Sequence, residues 1–357
     1  MKKLLLVFLI SLATVLGLHC EAQETADENL VVKKEAGYSV RYTEQFNAKN
    51  VDELKLSNEH GYIHLSAWQE ESIAIEVIVN IETRHKELAK DVVDLIDFRS
   101  RSYSRIVDYK TIFSEDFFSN YPFTINYHVK VPERLNLKIK NSIGDVKIDS
   151  IAGKINLTHA YGNLELTNIA KDKKHILKLS FVEGLIDSFG ALKADFNNCT
   201  LNLNNGDKLN GNTNYCMASY VNIRSVDIKT FTDRLTITNT DSLSIKGAQF
   251  IGKVDQLQTF LFCELEKGQL LVDASENVQD ITISNKNVKT TLILPHSLNY
   301  NLNGEVSNGE FTHPTPADLL IFNENGRTSF SGNIGEENNS NANIILFNNG
   351  SSITIKH

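Results

Sequence analysis

Between Leu135 and Ala170 the chain repeats itself at an offset of 18 residues. Leu137, Ile139, Gly144, Val146, Ile148, Ile151 and Ala152 recur as Ile155, Leu157, Gly162, Leu164, Leu166, Ile169 and Ala170. Each copy reads apolar-x-apolar, a turn ending in glycine, then apolar-x-apolar, which is two short strands about a glycine corner. A stretch this small cannot bury its own apolar row, so the copies must stack on one another. The expected fold class is all-β: a single β-solenoid of the right-handed parallel β-helix kind, with a short helical insertion near residues 84–98. Roughly a dozen rungs about 4.8 Å apart would make a rod on the order of 55 Å long.

The rest of the chain reads in the same terms. Residues 23–50 are polar, with weak strand character at Tyr38–Tyr42. From Val51 the alternation is strong: Leu54 and Leu56, a turn at Gly61, then Ile63, Leu65 and Ala67. Ile73, Ile75, Val77, Val79 and Ile81 form the longest clean period-two run, and Phe123 to Val131 forms another, closed by Pro132. Between them Leu88, Val92, Leu95 and Ile96 fall at helical spacing and predict a helix of about four turns across an end or edge of the sheet. Past Ala170, apolar pairs continue at drifting intervals, separated by the Asn, Asp, Gly and Ser that tolerate left-handed turns. Asn323 to Asn343 reads as a long loop. Ile344 and Leu346, the turn Asn348-Asn349-Gly350, and Ile353 and Ile355 predict a C-terminal hairpin capping the last rung.

The N-terminus reads as an export signal. Lys2 and Lys3 precede an apolar run from Leu4 to Leu18, and Cys20 and Ala22 supply small residues before Gln23. Cleavage near Ala22 is expected, placing the protein in the periplasm, secreted or at the cell surface. The alternative is lipidation at Cys20, against which His19 stands where a lipobox wants a small residue. No later stretch approaches the ~18 apolar residues of a spanning helix. The domain reading is thus 1–22 signal peptide, 23–50 polar segment and 51–357 solenoid.

The formal charge is −8, and two lysines and one glutamate leave with residues 1–22, making it −9. Acidic residues are spread along the chain, which argues against a nucleic-acid partner. Three cysteines remain after residue 22, namely Cys199, Cys216 and Cys263. Cys199 and Cys216 lie 17 residues apart, close to one rung, so they either bridge or fill small interior slots as free thiols.

No convergent chemistry emerges. His60 and His64 are the closest histidine pair, but Gly61 divides them and a metal needs a third ligand. Asp145 and Glu165 are not equivalent repeat positions, Asp149 faces Thr167, and Asp187, Asp195 and Asp207 lie in turn-like contexts. Asn210-Gly211-Asn212-Thr213-Asn214 lacks the carboxylates of a calcium turn. Trp68, Tyr161 and Phe181 are single aromatics, with no row at rung spacing. There is no phosphate loop and no nucleophile elbow. The site reading is therefore no catalytic, cofactor-binding or metal residue, and no cofactor.

The stretches Leu54-x-Leu56-Ser-Asn-Glu-His-Gly61-Tyr-Ile63, Tyr127-x-Val129-Lys-Val131-Pro132 and Lys140-Asn141-Ser142-Ile143-Gly144-Asp145-Val146-x-Ile148 resemble the adhesin-like domain family of exported bacterial β-solenoid proteins. The resemblance covers roughly Val51 to His357, and the closing segment Gly350-Ser-Ser-Ile353-Thr-Ile355 is similar to that family's ending. It implies a non-catalytic envelope protein, an adhesin-like binding or structural scaffold whose partner is another envelope protein or a surface glycan. It transfers no catalytic residue. The competing expectation is a polysaccharide-active β-helix enzyme, a lyase or glycosidase, which needs stacked carboxylates or basic residues in one cleft.

Overall fold

In the computed structural model, residues 32–34, 37–315, 317–335 and 341–357 are described. The signal-peptide and Cys20 expectations lie outside them. The chain is nearly all β. Its first part holds β1 (Val32–Lys34), β2 (Gly37–Asn47), β3 (Glu53–His60), β4 (Ile63–Trp68), β5 (Ser72–Ile81), α1 (Lys86–Val93), β6 (Ile96–Tyr103), β7 (Ile106–Phe113) and β8 (Phe123–Pro132). The middle holds β9 (Asn136–Ile143), β10 (Val146–Asp149), β11 (Ile155–Thr167), β12 (Lys174–Ile186), β13 (Phe189–Asn197), β14 (Thr200–Asn214), β15 (Met217–Phe231), β16 (Arg234–Ala274) and β17 (Asp280–Ile293). The last part holds β18 (Tyr300–Ser307), β19 (Phe311–Thr312), β20 (Asp318–Glu324), β21 (Arg327–Ile334), β22 (Ala342–Asn349) and β23 (Ile353–Lys356).

The strands join one large, mostly parallel sheet. Leu137 pairs with Ile155 and Val146 with Leu164, both at the 18-residue offset. Farther on the offset changes, with Leu157 beside Leu177, Leu177 beside Ala194, Leu201 beside Ala218 and Leu261 beside Ile281. Through all of these the apolar side chains stay in interior columns. Leu157, Leu177, Leu203, Ile245 and Ile283 are each 0% exposed. Burial sets the register, because a slip by one residue would turn every side chain of a strand outward.

The expectation of short, uniformly parallel strands needs correction. Strands run through the corners, so that β16 is a continuous strand of 41 residues. Both ends of the sheet are antiparallel. At the first end β2, β5 and β8 pair antiparallel in turn, as do β6 and β7. At the other end β21 lies antiparallel between β18 and β20.

Neighbours in space are not always neighbours in sequence. β3 and β4 stack on β9 and β10, with Leu54 beside Leu137 and Ile63 beside Val146, across everything from β5 to β8. Likewise Ile281 pairs with Ile344 and Leu292 with Ile355. The C-terminal hairpin expectation is therefore overturned: β22 and β23 each lie parallel on β17, and Asn348 to Ser352 is a corner between them. The end is covered instead by β18, β21 and β20 in that order outward from β22. Residues 327–334, read as loop, are strand β21, and Asn325 (φ 49°) and Gly326 (φ 75°) make the two-residue turn from β20.

The helix is also shorter than its spacing predicts. It stops at Val93, burying Ala89, Val92 and Val93 and leaving Leu88 at the surface. Ile96 leaves the helical stripe because β6 pairs with β7, which sets the Phe98 ring near Tyr109 and Tyr127.

The glycine corner has a steric cause. Gly61 and Gly144 sit at φ 121° and 107°, and a Cβ on Gly144 would lie 2.4 Å from the Gly61 carbonyl oxygen. Beside these corners Asn58 and Asn141 are buried. Asn58 Nδ2 donates to the Ile125 carbonyl at 2.9 Å, and Asn141 Nδ2 to Gly144 at 2.9 Å and Gly61 at 3.1 Å. Asn348 does the same at the last corner, reaching Val288 at 2.8 Å. The turn exposes carbonyls to the apolar interior, and the carboxamides supply donors that would otherwise be missing.

Candidate binding surface

The outward residues follow from the same alternation. Where the interior column is apolar, the exterior is a set of polar ladders running strand to strand. Asn205, Asn222 and Asn239 occupy left-handed corner positions; Asn222 Nδ2 donates to Asn205 Oδ1 at 3.2 Å and Asn239 Nδ2 to Asn222 Oδ1 at 2.8 Å. Lys147 pairs with Glu165 at 2.9 Å, Arg224 with Asp207 at 2.9 Å and Lys246 with Glu264 at 3.2 Å. These pairs are exposed, so each is worth less than about 1 kcal/mol.

Several sequence candidates come together on one face. A depression of about 380 Å³ is lined by His64, Asp145, Lys147, Asn163, Glu165 and Glu183. Asp145 Oδ1 accepts from the Asn163 backbone N–H at 2.8 Å and from its Nδ2 at 3.0 Å. Both Glu165 oxygens accept from Lys147. Asp145 and Glu165 are thus engaged with neighbouring strands, an arrangement suited to holding the ladder together.

His64 stacks on Tyr62, with ring centroids 4.2 Å apart, and Tyr62 Oη lies 2.6 Å from His128 Nε2. Burial, and then the charges of His128 and Lys147, lower the His64 pKa, so the ring is neutral near pH 7. His60 packs instead between Phe113 and Phe123. Among the described residues no group of three or more His, Cys, Asp or Glu converges as metal ligands.

The remaining candidates are structural. Asp149 accepts from Thr167 and Asn168, and this hydrogen bonding holds its carboxyl below the usual range. Asp187 offers its carbonyl to Asn205, and Asp195 lies beside Lys178. Residues 210–214 lie in β14, and Thr213 donates to the buried Asp233 at 2.5 Å. Asp233 also accepts from Thr230 and from the Cys216 backbone N–H. Cys199 and Cys216 stand in the corners just before the neighbouring strands β14 and β15 as buried free thiols, and Cys263 is buried and free as well.

Trp68 donates to the Ser72 carbonyl at 2.7 Å. Tyr161 and Phe181 do form a row: they stack at 4.9 Å with 3° between ring planes, on neighbouring strands whose offset there is 20 residues, not 18. That shift in offset hid the pair in the sequence. A second feature missed by the sequence is a depression of about 300 Å³ lined by Lys55, Lys110, Lys138, Lys140 and one acid, Asp108. No signal along the chain marks it, because its lysines come from three strands separated by up to 85 residues.

No family model and no curated protein matches the chain. Among solved structures it is similar to a "putative cell adhesion protein" of Clostridium sporogenes, at 11% identity over 88% of this chain and 98% of that one, TM-score 0.25. It is similar to a "putative adhesin" of Parabacteroides distasonis at 9% identity over 70% and 96%, TM-score 0.39. It is also similar to a "putative lipid binding protein" of the latter organism at 10% identity over 89% and 97%, TM-score 0.32. At these values the likeness is a loose relation of fold. No helix among the described residues is long and apolar enough to cross a membrane.

Proposed function

We propose that the chain is a non-catalytic, exported envelope protein whose sheet winds as a right-handed β-solenoid spanning residues 51–357. Residues 1–22 act as a cleaved signal and 23–50 as a polar N-terminal segment. The outer faces act as an adhesin-like binding or structural scaffold for another envelope protein or a surface glycan. One observation carries the reading: an apolar column is closed to solvent from Leu54 to Ile355, while the outer ladders present a long polar surface. The carboxylates that would serve a polysaccharide-cleaving enzyme, Asp145 and Glu165, are tied to neighbouring strands.

The test combines fractionation, N-terminal sequencing and incubation with envelope polysaccharide. The expected result is an envelope protein beginning at Gln23 that retains polysaccharide or an envelope protein without releasing new sugar ends. A lipid-bearing Cys20 start would make it a surface lipoprotein and refute cleavage at Ala22. Release of reducing or unsaturated ends would overturn the non-catalytic reading in favour of the lyase or glycosidase.

A further inference from the structure

The outward residues of six neighbouring strands form a basic face on a chain whose net charge is −8. In one column Arg99 lies opposite Lys110, Lys110 opposite Ser57, Ser57 opposite Lys140, Lys140 opposite Thr158 and Thr158 opposite Lys178. The column ends where Lys178 meets Asp195. In the column beside it Lys55 lies opposite Lys138. Neighbouring strands are about 4.8 Å apart, so Lys110, Lys140 and Lys178, on alternate strands, stand roughly 10 Å from one to the next. A hydroxyl, from Ser57 or Thr158, fills each gap.

Some outward lysines elsewhere on the surface are paired with carboxylates. Lys147 and Lys286 each meet a carboxylate on an adjacent strand, and Lys246 meets Glu264 farther along β16. Lys110, Lys138, Lys140 and Lys178 have no carboxylate partner among the described residues. Lys55 lies between Lys138 and Asp108 and reaches Glu53 at 3.8 Å, whereas the lysines of the main column are left for an anion to neutralise.

We propose that this face binds a linear anionic polysaccharide carrying one acidic group in each disaccharide. The ammonium groups of Lys110, Lys140 and Lys178 take successive acidic groups. Ser57 and Thr158 hydrogen-bond the intervening sugars, and the depression bounded by Lys55, Lys138 and Asp108 receives one ring. The inference rests on the reading of the chain as a binding protein and names its ligand class. Spacing separates this ligand from a nucleic acid: duplex DNA carries a charge every ~1.7 Å of its axis, far denser than one ammonium every ~10 Å along a strand-to-strand column. An extended glycan presents its charges in single file at a disaccharide interval, which suits the column.

The full chain is titrated with hyaluronate as probe, and with neutral dextran and duplex DNA for comparison. Hyaluronate is expected to bind at 50 mM NaCl and to weaken at least tenfold at 300 mM, where screening shortens the reach of these charges to about 6 Å. Dextran is expected not to bind, and DNA to bind more weakly than hyaluronate. Lys140→Gln with Lys178→Gln is expected to cost at least tenfold. Lys229→Gln, on the same face but past Asp195, should stay within twofold. The inference is overturned if hyaluronate does not bind at 50 mM NaCl, if DNA binds more tightly, or if the double variant binds as the unaltered chain does. Should hyaluronate fail while another envelope component is retained, this inference alone falls. Should the glycan be bound and also cut, the face stands and the non-catalytic reading falls.

Discussion

Acid should unfold this protein through two interior histidines. His175 is fully buried; its Nδ1 accepts the Ile155 backbone N–H at 3.2 Å and its Nε2 lies 2.7 Å from the Ala170 carbonyl. A carbonyl only accepts and an amide N–H only donates, so the ring is the neutral tautomer with hydrogen on Nε2. Protonation would aim a second N–H at an N–H. His159 stands in the interior column continued from Asn58 and Asn141, with its Nε2 unpartnered. Burial lowers both pKa values below the ordinary ~6.5. Between that value and the lower folded one, the unfolded chain binds protons that the folded chain does not. Their contribution is complete above pH ~6.5 and lost as pH falls below it, by at most about 1.4 kcal/mol per pH unit for each ring, or about 2.7 for the pair. Urea unfolding followed by Trp68 fluorescence between pH 7.5 and 5 measures this. His159→Asn restores the asparagine found in the two preceding strands, and His175→Gln keeps one acceptor and one donor. The double variant should show a visibly flatter decline than the unaltered chain. Equal slopes, or a protein that gains stability as pH falls from 6.5, would refute the argument.

Other consequences are as direct. Ile148→Asp or Leu166→Asp, opposite one another and both fully buried, should each cost at least about 4 kcal/mol in urea, since an unpaired carboxylate enters the apolar column. The exposed Lys154→Gln should stay within about 0.5 kcal/mol, and similar losses for both kinds of change would sink the interior assignment. Gly144→Ala should lower stability by at least about 1 kcal/mol more than Gly326→Ala, because only the former drives a Cβ into a neighbouring carbonyl. Matching thermal midpoints would contradict the corner geometry.

Some elements were legible because they depend on local backbone geometry. Alternation from Ile73 to Ile81 is strand β5 with every second residue buried. The glycine of each corner was visible too, though the carbonyl it avoids was not. The asparagines preceding Gly61 and Gly144 stood in the motifs without a role, since Asn58 finds its acceptor on Ile125, 67 residues away. The helix was read too long because Ile96 satisfies the helical spacing from Leu88 and Val92 and also starts a strand, and only β7 decided between them. The turn Asn325-Gly326 was present to be read, but the apolar run Leu319 to Phe322, exposed from Leu320 on, lacks the alternation that would have flagged its strand.

Sequence alone determined which side of each strand is apolar, because successive side chains point to opposite faces whatever lies beyond. It determined, on the same ground, that neighbouring stretches must stack to bury that side. Tertiary structure decided which strands are neighbours, and with that which outward residues share a column. Lys110, Lys140 and Lys178 are separated by 30 and 38 residues and acquire a common line only when Leu56, Ile139, Leu157 and Leu177 are buried in register. The apolar interior sets that register, and the charged face is its consequence on the other side of the sheet.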